Sequence, residues 1–275
     1  MTFFWSEGHR EVMAGLLYGA AHRLGLITLT GAPGTGKTTV IQEAGARLER
    51  LQASLRVVRL PDSSLPAREL LESVLDALGV EAAANRRTGH THLESRLAAE
   101  SAQGRTCLLA LDDAQLLTDE SLELVRLWTD WERGGRKLLP ILLAGAGTLE
   151  ERLQSRGSEP LRQRVSLTLG LDPLRVDEVA AYIHHRWTAQ RGAEPSPFTE
   201  GAIDQIAADS CGVPRAINAL ADQALRLALA RQSRDVDQDI AALAADALLL
   251  PRARTRAAAA AGERRLQWVS YTKSS

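Results

Sequence analysis

The sequence of 275 residues has few aromatic residues, two cysteines and no long apolar run. Aromatic residues make up 4% of the chain, while alanine and leucine dominate its second half, which favours helices over a β-sandwich. Cys107 and Cys211 lack metal or redox spacing, which indicates two reduced, mostly buried thiols. No stretch approaches the roughly 20 apolar residues that cross a bilayer, and the N-terminus does not have the pattern of a signal peptide. These absences predict a soluble, cytoplasmic protein without a membrane span.

The charges of the chain nearly balance, with 33 Lys and Arg against 34 Asp and Glu. A formal net charge of -1 argues against nucleic-acid binding by the molecule as a whole, so a DNA site would have to be local. The tail from Pro251 onward is the exception, because it holds six Arg or Lys and a single acidic residue, Glu263. Nothing in this tail has the pattern of a core, and we expect residues 251–275 to form a basic, flexible extension.

Short apolar runs alternate with amphipathic stretches in the first half of the chain, which is typical of a parallel sheet with crossover helices. The predicted strands are Leu26–Thr30, Leu55–Leu60, Thr106–Leu111, 138–144 and 165–169. Helices are predicted over residues 37–51, 66–78, 93–103 and 118–133, and a polar loop over 82–91. After residue 172 only helical periodicity remains, enough for about four helices. The sequence therefore predicts an α/β core over residues 1–171, a helical subdomain over 172–250 and the tail over 251–275.

The run GAPGTGKT at residues 31–38 matches the P-loop pattern at every fixed position. Gly31, Gly34 and Gly36 let backbone N–H groups turn around phosphate oxygens, and the following helix presents its positive end to the same anion. Lys37 places a charge at the β- and γ-phosphates, and the Thr38 hydroxyl takes one Mg²⁺ position. The other residues predicted to contact ATP are Ala32, Pro33, Thr35 and Thr39. A strand before the run and a helix after it favour a site for ATP and Mg²⁺ over a glycine-rich turn that binds nothing.

The apolar run at residues 108–111 ends in two carboxylates, Asp112 and Asp113, which is the Walker B arrangement. Asp112 would hold Mg²⁺ through a water, and Asp113 would polarise the attacking water. A strand followed by a solvated acidic turn is the alternative, and the neighbouring P-loop argues against it for Asp112. Because aspartate is one methylene shorter than the usual glutamate, the side chain of Asp113 indicates slow hydrolysis.

Five segments taken together resemble the ExeA/GspA-type AAA+ ATPases of bacterial general secretion, and the transposition ATPases of the TniB and MuB kind share parts of the pattern. The segments are residues 3–41, 108–117, 142–153, 160–187 and 212–225. The resemblance extends over nearly all of residues 3–249. It implies a three-layer P-loop NTPase core of the AAA+ type with a five-stranded parallel sheet, followed by an α-helical lid. It also implies assembly into a ring or filament with ATP between subunits.

The same resemblance implies roles for three arginines. Arg162 and Arg164 in LRQRV are candidates for the arginine finger that reaches a neighbouring subunit's ATP, where a guanidinium neutralises charge on the transferred phosphate, and Arg164 is the favoured one of the two. Two surface arginines beside an edge strand are the alternative. Arg215 in GVPRAIN matches the sensor-2 arginine of the lid. The alternative is that Arg215 forms a salt bridge without a role at the nucleotide. Gln115 in DDAQ also matches the family, and it either orients the water or begins a polar helix.

The sequence departs from the family pattern after its fourth strand, where a polar sensor-1 residue is common. Gly145 and Ala146 stand there, so that contact is absent or has moved to Thr148. His9 lies in an N-terminal segment that passes near the adenine in such ATPases, although core packing is the favoured explanation for the aromatic residues around it. The histidines do not have the sequence spacing of metal ligands.

These features predict a Mg²⁺-dependent ATPase that hydrolyses ATP between subunits of a homo-oligomer and switches or remodels a protein partner. Two alternatives stay open. The first is an ATP-controlled DNA-binding regulator of the transposition type, motivated by the basic tail and by Arg86 and Arg87. The second is a nucleotide-gated interaction module with little turnover, motivated by Asp113 and Ala146.

Overall fold

The structure is a computed structural model that describes residues 3–51, 54–60, 63–80 and 85–248, apart from the side chain of Arg86. The predicted basic tail at 251–275 and part of the predicted loop at 82–91 lie outside the described residues. The described chain consists of two compact units. The sheet unit comprises residues 11–31 and 37–171, and the helical unit comprises residues 3–10, 32–36 and 172–248.

The sheet unit is built on five parallel strands, as the sequence predicts, and a separate two-stranded hairpin. The strands of the sheet are β1 (Leu26–Thr30), β2 (Leu55–Leu60), β3 (Thr106–Leu111), β6 (Ile141–Gly145) and β7 (Val165–Gly170), and those of the hairpin are β4 (Glu132–Arg133) and β5 (Arg136–Lys137). The sheet order is β2-β3-β6-β1-β7. Every residue of β3 and β6 is buried, which explains their unbroken apolar runs. Because the strands are parallel, the residues that follow β1, β3 and β6 lie at one edge of the sheet.

Helices surround the sheet and supply most of its apolar core. They are α1 (Glu7–Ala21), α2 (Lys37–Leu51), α3 (Ala67–Ala77), α4 (Arg86–Ala102), α5 (Asp119–Thr129), α6 (Gly147–Gln154) and the short α7 (Glu159–Arg162). The first residues of α1, up to Arg10, belong to the helical unit. On α3, Leu70, Leu71, Val74 and Leu75 form a buried stripe at helical spacing. This stripe packs in one cluster with residues of β3, β6 and α5.

Three predicted boundaries of the sheet unit are wrong. Helix α4 begins within the predicted polar loop, because the Asn85 side chain accepts a hydrogen bond from the Thr88 N–H at 3.0 Å and caps the helix. Helix α5 has the predicted Thr118 cap but ends at Thr129, before the hairpin. The fourth strand of the sheet begins at Ile141, after Pro140, whose carbonyl accepts the Leu109 N–H.

The helical unit contains four helices after residue 172, the number expected from the sequence. They are α8 (Val176–Arg191), α9 (Glu200–Ser210), α10 (Pro214–Ala230) and α11 (Gln238–Ala247). Their buried faces form a second core, in which Val179, Ile206 and Leu220 are almost fully enclosed. Phe4, from the N-terminal segment, packs edge-on against Tyr182 and His185 of α8. The N-terminal segment is therefore part of this second core.

Candidate nucleotide-binding site

The P-loop at residues 31–38 connects the carboxyl end of β1 to the first turn of α2. Gly34 and Gly36 have φ values of +87° and +102°, a conformation that side chains other than glycine rarely adopt. A Cβ atom on Gly34 would lie 2.9 Å from Cβ of Arg215. The Thr35 side chain is buried and donates a hydrogen bond to the Ala32 carbonyl at 2.9 Å. The backbone path of the predicted phosphate loop thus requires glycine at positions 34 and 36.

Lys37 is the first residue of α2, and its side chain is only 8% exposed. Its Nζ donates to the carbonyl of Gly31 at 2.9 Å, so the ammonium group lies over the start of the loop. Thr38 and Thr39 follow on the first turn of the helix with exposed side chains. That turn contains no acidic residue, which suits the binding of an anion at the positive end of the helix. These residues fit a bound phosphate chain.

Asp112 and Asp113 follow β3 at the same edge of the sheet, but their environments differ. The side chain of Asp112 is 3% exposed and its Oδ1 accepts the N–H of Asp113 at 3.0 Å. The backbone carbonyl of Asp112 accepts a hydrogen bond from the hydroxyl of Ser63, a fully buried residue that the sequence analysis missed. Asp113 is exposed and has a φ of +48°, a left-handed conformation that is strained for a residue other than glycine. A fixed buried carboxylate is therefore followed by an exposed one.

Gln115 lies between the ends of β3 and β6. Its Nε2 donates to Oδ1 of Asp113 at 3.1 Å, and its Oε1 accepts the backbone N–H of Ala146 at 3.1 Å. Thr148, the other position considered for a sensor-1 contact, is exposed on α6. The polar group beside the backbone of Ala146 therefore comes from the loop after β3.

Arg152 of α6 is a second residue that the sequence analysis missed. Its Nη1 donates to the carbonyls of Gln115, at 3.1 Å, and Leu117. Its Nη2 pairs with Asp119 at 2.6 Å. The residues 115–119 are thus tied to α6. The sequence gives no signal of these contacts, because Arg152 directly follows Glu150 and Glu151 and its partners lie 33 to 37 residues away.

The two candidate finger arginines are held differently. Arg164 makes a bidentate ion pair with Asp130, at 2.8 and 3.0 Å, and also donates to the Pro160 carbonyl at 2.6 Å. This pairing lowers the pKa of the Asp130 carboxyl. Arg162, at the end of α7, has a side chain that is 50% exposed and lies 3.7 Å from Glu159. Arg162 is therefore the less constrained of the two.

Arg215 lies in the first turn of α10, in the helical unit. Pro214 occupies the N1 position, as expected, and the backbone N–H of Arg215 donates to the Gly34 carbonyl at 3.2 Å. The preceding Gly212 has a φ of +72°, and a Cβ atom there would lie 2.0 Å from the Leu174 carbonyl oxygen. The Arg215 side chain is exposed and has no ion pair among the described residues. The start of α10 thus contacts the turn of the P-loop through its backbone.

His9 also lies against the P-loop turn. Its Nδ1 is 2.7 Å from Oγ of Ser6, and its Nε2 would be 3.4 Å from a Cβ atom on Gly36. Burial lowers the pKa of His9, while the charge of Glu178 and a backbone hydrogen bond at Thr35 act in the opposite direction. His9 is therefore a buried histidine beside the loop, in a place that disfavours its charged form and that its sequence context only suggested.

The two cysteines and the histidines are, by residue type, candidate metal ligands and reactive groups. Among residues 3–51, 54–60, 63–80 and 85–248, no group of three His, Cys, Asp or Glu is placed to hold a metal ion. Burial raises the pKa of Cys107 to about 12, whereas Cys211 is exposed. The prediction that both thiols are mostly buried is therefore wrong for Cys211, which follows the last turn of α9. None of the helices described is long and apolar enough to span a membrane.

The sequence of the chain is similar to a known domain family and to a bacterial secretion protein. Residues 21–153 match the AAA domain family. Over 244 residues the chain is 33% identical to General secretion pathway protein A of Aeromonas hydrophila. The match includes 88% of this chain but 44% of that protein, so the chain spans less than half of its relative's length.

Solved structures with the same fold include the ORC2 protein of Aeropyrum pernix in its ADPNP–ADP complexes. The TM-score is 0.64 at 16% identity, over 88% of this chain and 68% of that one. The RuvB Holliday junction branch migration motor of Thermotoga maritima has a TM-score of 0.58 at 20% identity, over 90% and 70% of the two chains. Both likenesses concern the fold, a P-loop sheet followed by helices.

Proposed function

Because the chain is an AAA+ protein of the ExeA/GspA type, we propose that it binds Mg²⁺–ATP through residues 31–38 and hydrolyses it. The observation that carries the proposal lies at one edge of the sheet. A buried lysine, Lys37, follows β1 and a buried carboxylate, Asp112, follows β3. Buried charges are rare unless they are paired, and they are concentrated at functional sites.

Each residue of the proposed site has a separate role in binding or hydrolysis. The loop N–H groups and Lys37 bind the phosphates, and Thr38 and Asp112 hold Mg²⁺. Bound Mg²⁺–ATP supplies the transferable phosphoryl group. Asp113, exposed beside this edge, orients the attacking water and accepts its proton. The ADPNP–ADP complexes of ORC2, a protein with the same fold, support the proposal that the chain binds a nucleotide.

We further propose that subunits assemble into a ring or filament and that Arg162 is the finger that acts on a neighbour's ATP. The exposure of Arg162 supports this choice over Arg164, whose guanidinium is already bound by Asp130. Arg215 is proposed to contact the γ-phosphate, since its backbone contacts Gly34 and its side chain has no ion pair among the described residues.

Turnover of this kind would switch or remodel a protein partner, and the similarity to General secretion pathway protein A supports that reading. A DNA-binding regulator of the transposition type is the second candidate, favoured by the six basic residues after Pro251. The relation to TniB and MuB and the cytoplasmic location stay predictions.

The deciding experiment measures ATP binding and phosphate release by the wild type, Lys37→Ala and Lys137→Ala, with and without double-stranded DNA. Lys137 is the matched control, because it is a lysine of the β4–β5 hairpin paired with Glu132 at 3.0 Å. Lys37→Ala should lose ATP binding, while Lys137→Ala should behave as the wild type.

Each other outcome has a distinct meaning. A wild type that does not bind ATP would show that the proposal is wrong. Binding without turnover above that of Lys37→Ala would support the nucleotide-gated module with little turnover. Turnover stimulated by DNA, with an affinity for DNA that falls steeply as salt is added, would support the DNA-binding regulator.

A further inference from the structure

Gln115 connects the carboxyl ends of two neighbouring strands through one side chain. Strands β3 and β6 are paired, with Leu111 opposite Leu143, so the residues that follow them emerge side by side. The amide donates to the Asp113 carboxylate and accepts from the Ala146 N–H. An amide is suited to this bridge, because it carries a donor and an acceptor at the same distance from the backbone. The two partners also fix its orientation, since one only accepts and the other only donates.

Gly145 leaves the space that the amide occupies. A Cβ atom on this residue would lie 2.5 Å from Oε1 of Gln115 and 3.0 Å from Cβ of Leu149. The φ of Gly145 lies outside the left-handed region, so its backbone conformation does not itself require glycine. The small residue at the end of β6 is therefore matched to the amide of Gln115.

The main chain of Gln115 is fixed as well. Its carbonyl accepts a hydrogen bond from Arg152 of α6 at 3.1 Å. Asp113, in contrast, is exposed, and the bond from Gln115 is the one hydrogen bond of its carboxylate among the described residues. Without that bond, solvent would be the main partner of the carboxylate, and its rotamers would be free to exchange.

We propose that Gln115 is a positioning residue that holds the Asp113 carboxylate for the activation of water. It joins Asp113 to the end of β6, where this chain has Gly145 and Ala146 instead of a polar side chain. The proposal rests on the proposed function, because positioning matters only if Asp113 acts on the attacking water. A misplacement of about 1 Å in such a group is enough to lower turnover substantially.

The test measures kcat and ATP affinity in four variants. Gln115→Ala removes the bridge, and Gly145→Ala displaces the amide from the opposite side. Each should lower kcat about tenfold and leave the Kd for ATP within about twofold. Gly147→Ala is the matched control, because no atom lies within 4 Å of a Cβ placed there. Its kcat should stay within about twofold of the wild-type value.

The fourth variant, Gln115→Glu, separates positioning from a structural role. A glutamate keeps the length of the side chain and still accepts the N–H of Ala146, but it cannot donate to Asp113 and repels it. Gln115→Glu should therefore lose at least as much kcat as Gln115→Ala. If Gln115→Glu kept wild-type kcat while Gln115→Ala lost it, the residue would only hold the backbone of Ala146 and the inference would be wrong.

A double variant shows whether Gln115 acts through Asp113. In an Asp113→Ala background, Gln115→Ala should cause no further loss of kcat, because the group it positions is absent. Additive losses, or wild-type kcat in every single variant with unchanged thermal unfolding, would overturn the inference and leave the proposed function intact. A wild type with no turnover above Lys37→Ala would instead remove the proposed hydrolysis, and this role of Gln115 with it.

Discussion

The candidate residues at the strand ends and those of the segment 156–164 are held in different ways. At the strand ends, Lys37 and Asp112 are almost fully buried and contact backbone groups of the sheet unit. In the segment 156–164, the arginines lie on a short helix and the turn after it, and they are paired with exposed carboxylates. A group bound by the backbone has its position set by the fold. A group held by an exposed ion pair is free to change partner, because such pairs contribute little energy.

Under the proposed function, the strand-end residues act within their own chain, whereas an arginine of the segment acts on another copy. The largest decrease in kcat should come from a change at Arg162. Arg162→Ala should lower kcat about 10³-fold, the lower end of the range for an arginine finger, with ATP affinity nearly unchanged. Phosphate release and nucleotide titration measure both quantities.

Mixing two inactive variants tests whether Arg162 acts between subunits. Arg162→Ala subunits keep an intact P-loop, and Lys37→Ala subunits keep the arginine, so the mixture should regain activity. Arg164→Ala is the matched control and should lose less turnover, because its guanidinium serves Asp130. A larger loss in Arg164→Ala than in Arg162→Ala would reverse the assignment.

Asp113→Asn should have the next largest effect and behave in the opposite way on mixing. Removing the proton acceptor should lower kcat about 10²-fold while ATP still binds. Mixing with Lys37→Ala should give no recovery, because each change disables the ATP site of the chain that carries it. Asp76→Asn, an exposed change on α3, is the control. Recovery on mixing would instead place Asp113 at the ATP of another subunit.

A smaller effect is expected from His9, which is buried as Asp112 is but lies in the helical unit. Its pKa is lowered by burial, so below about pH 6.5 the unfolded chain binds the proton more readily than the folded chain. The free energy of unfolding should therefore fall as the pH drops below about 6.5, by at most about 1.4 kcal/mol per pH unit.

Denaturant unfolding at pH 7.5, 6.5 and 5.5 measures this dependence on pH. His9→Gln should remove the decrease below pH 6.5 that His9 causes. His22→Gln, a change at an exposed histidine, should retain it. An identical pH dependence in the wild type and His9→Gln would show that His9 does not titrate differently on folding.

The smallest effect concerns the reactivity of the two cysteines and does not involve ATPase activity. Cys107 is buried with a pKa raised to about 12, whereas Cys211 is exposed. A thiol reagent at pH 8 should therefore modify one thiol in the native protein and two after denaturation. Cys211→Ser should remove the fast reaction. Rapid modification of two native thiols would show that the sheet unit opens readily around Cys107.

The sequence predicts the parallel sheet and the residues that follow its strands because these depend on local patterns. Apolar runs mark β1 and β3, and the glycines with Lys37 mark the loop between β1 and α2. The start of α4 also has a local signal, because Asn85 stands three residues before Thr88 as an N-cap. The predicted helix begins too late because α4 starts in a polar stretch without apolar periodicity.

The contacts that depend on strand order were not predictable from the sequence. Gln115 and Ala146 are 31 residues apart and meet because β3 and β6 are neighbours in the sheet. Arg164 and Asp130 are 34 residues apart and are joined only in the folded chain. Local patterns therefore locate the P-loop and the acidic pair, while the partners that hold these groups follow from topology.

The position of β1 in the sheet has a consequence for the order in which the chain acquires structure. Its neighbours are β6 and β7, which begin at residues 141 and 165. At a synthesis rate of about 5–20 residues per second, β1, which precedes the P-loop, is thus complete several seconds before β6 and β7 are made. Contacts so distant in sequence also slow folding. A nascent chain that stops before residue 165 leaves one side of β1 unpaired, and its apolar side chains make that chain a substrate for chaperones.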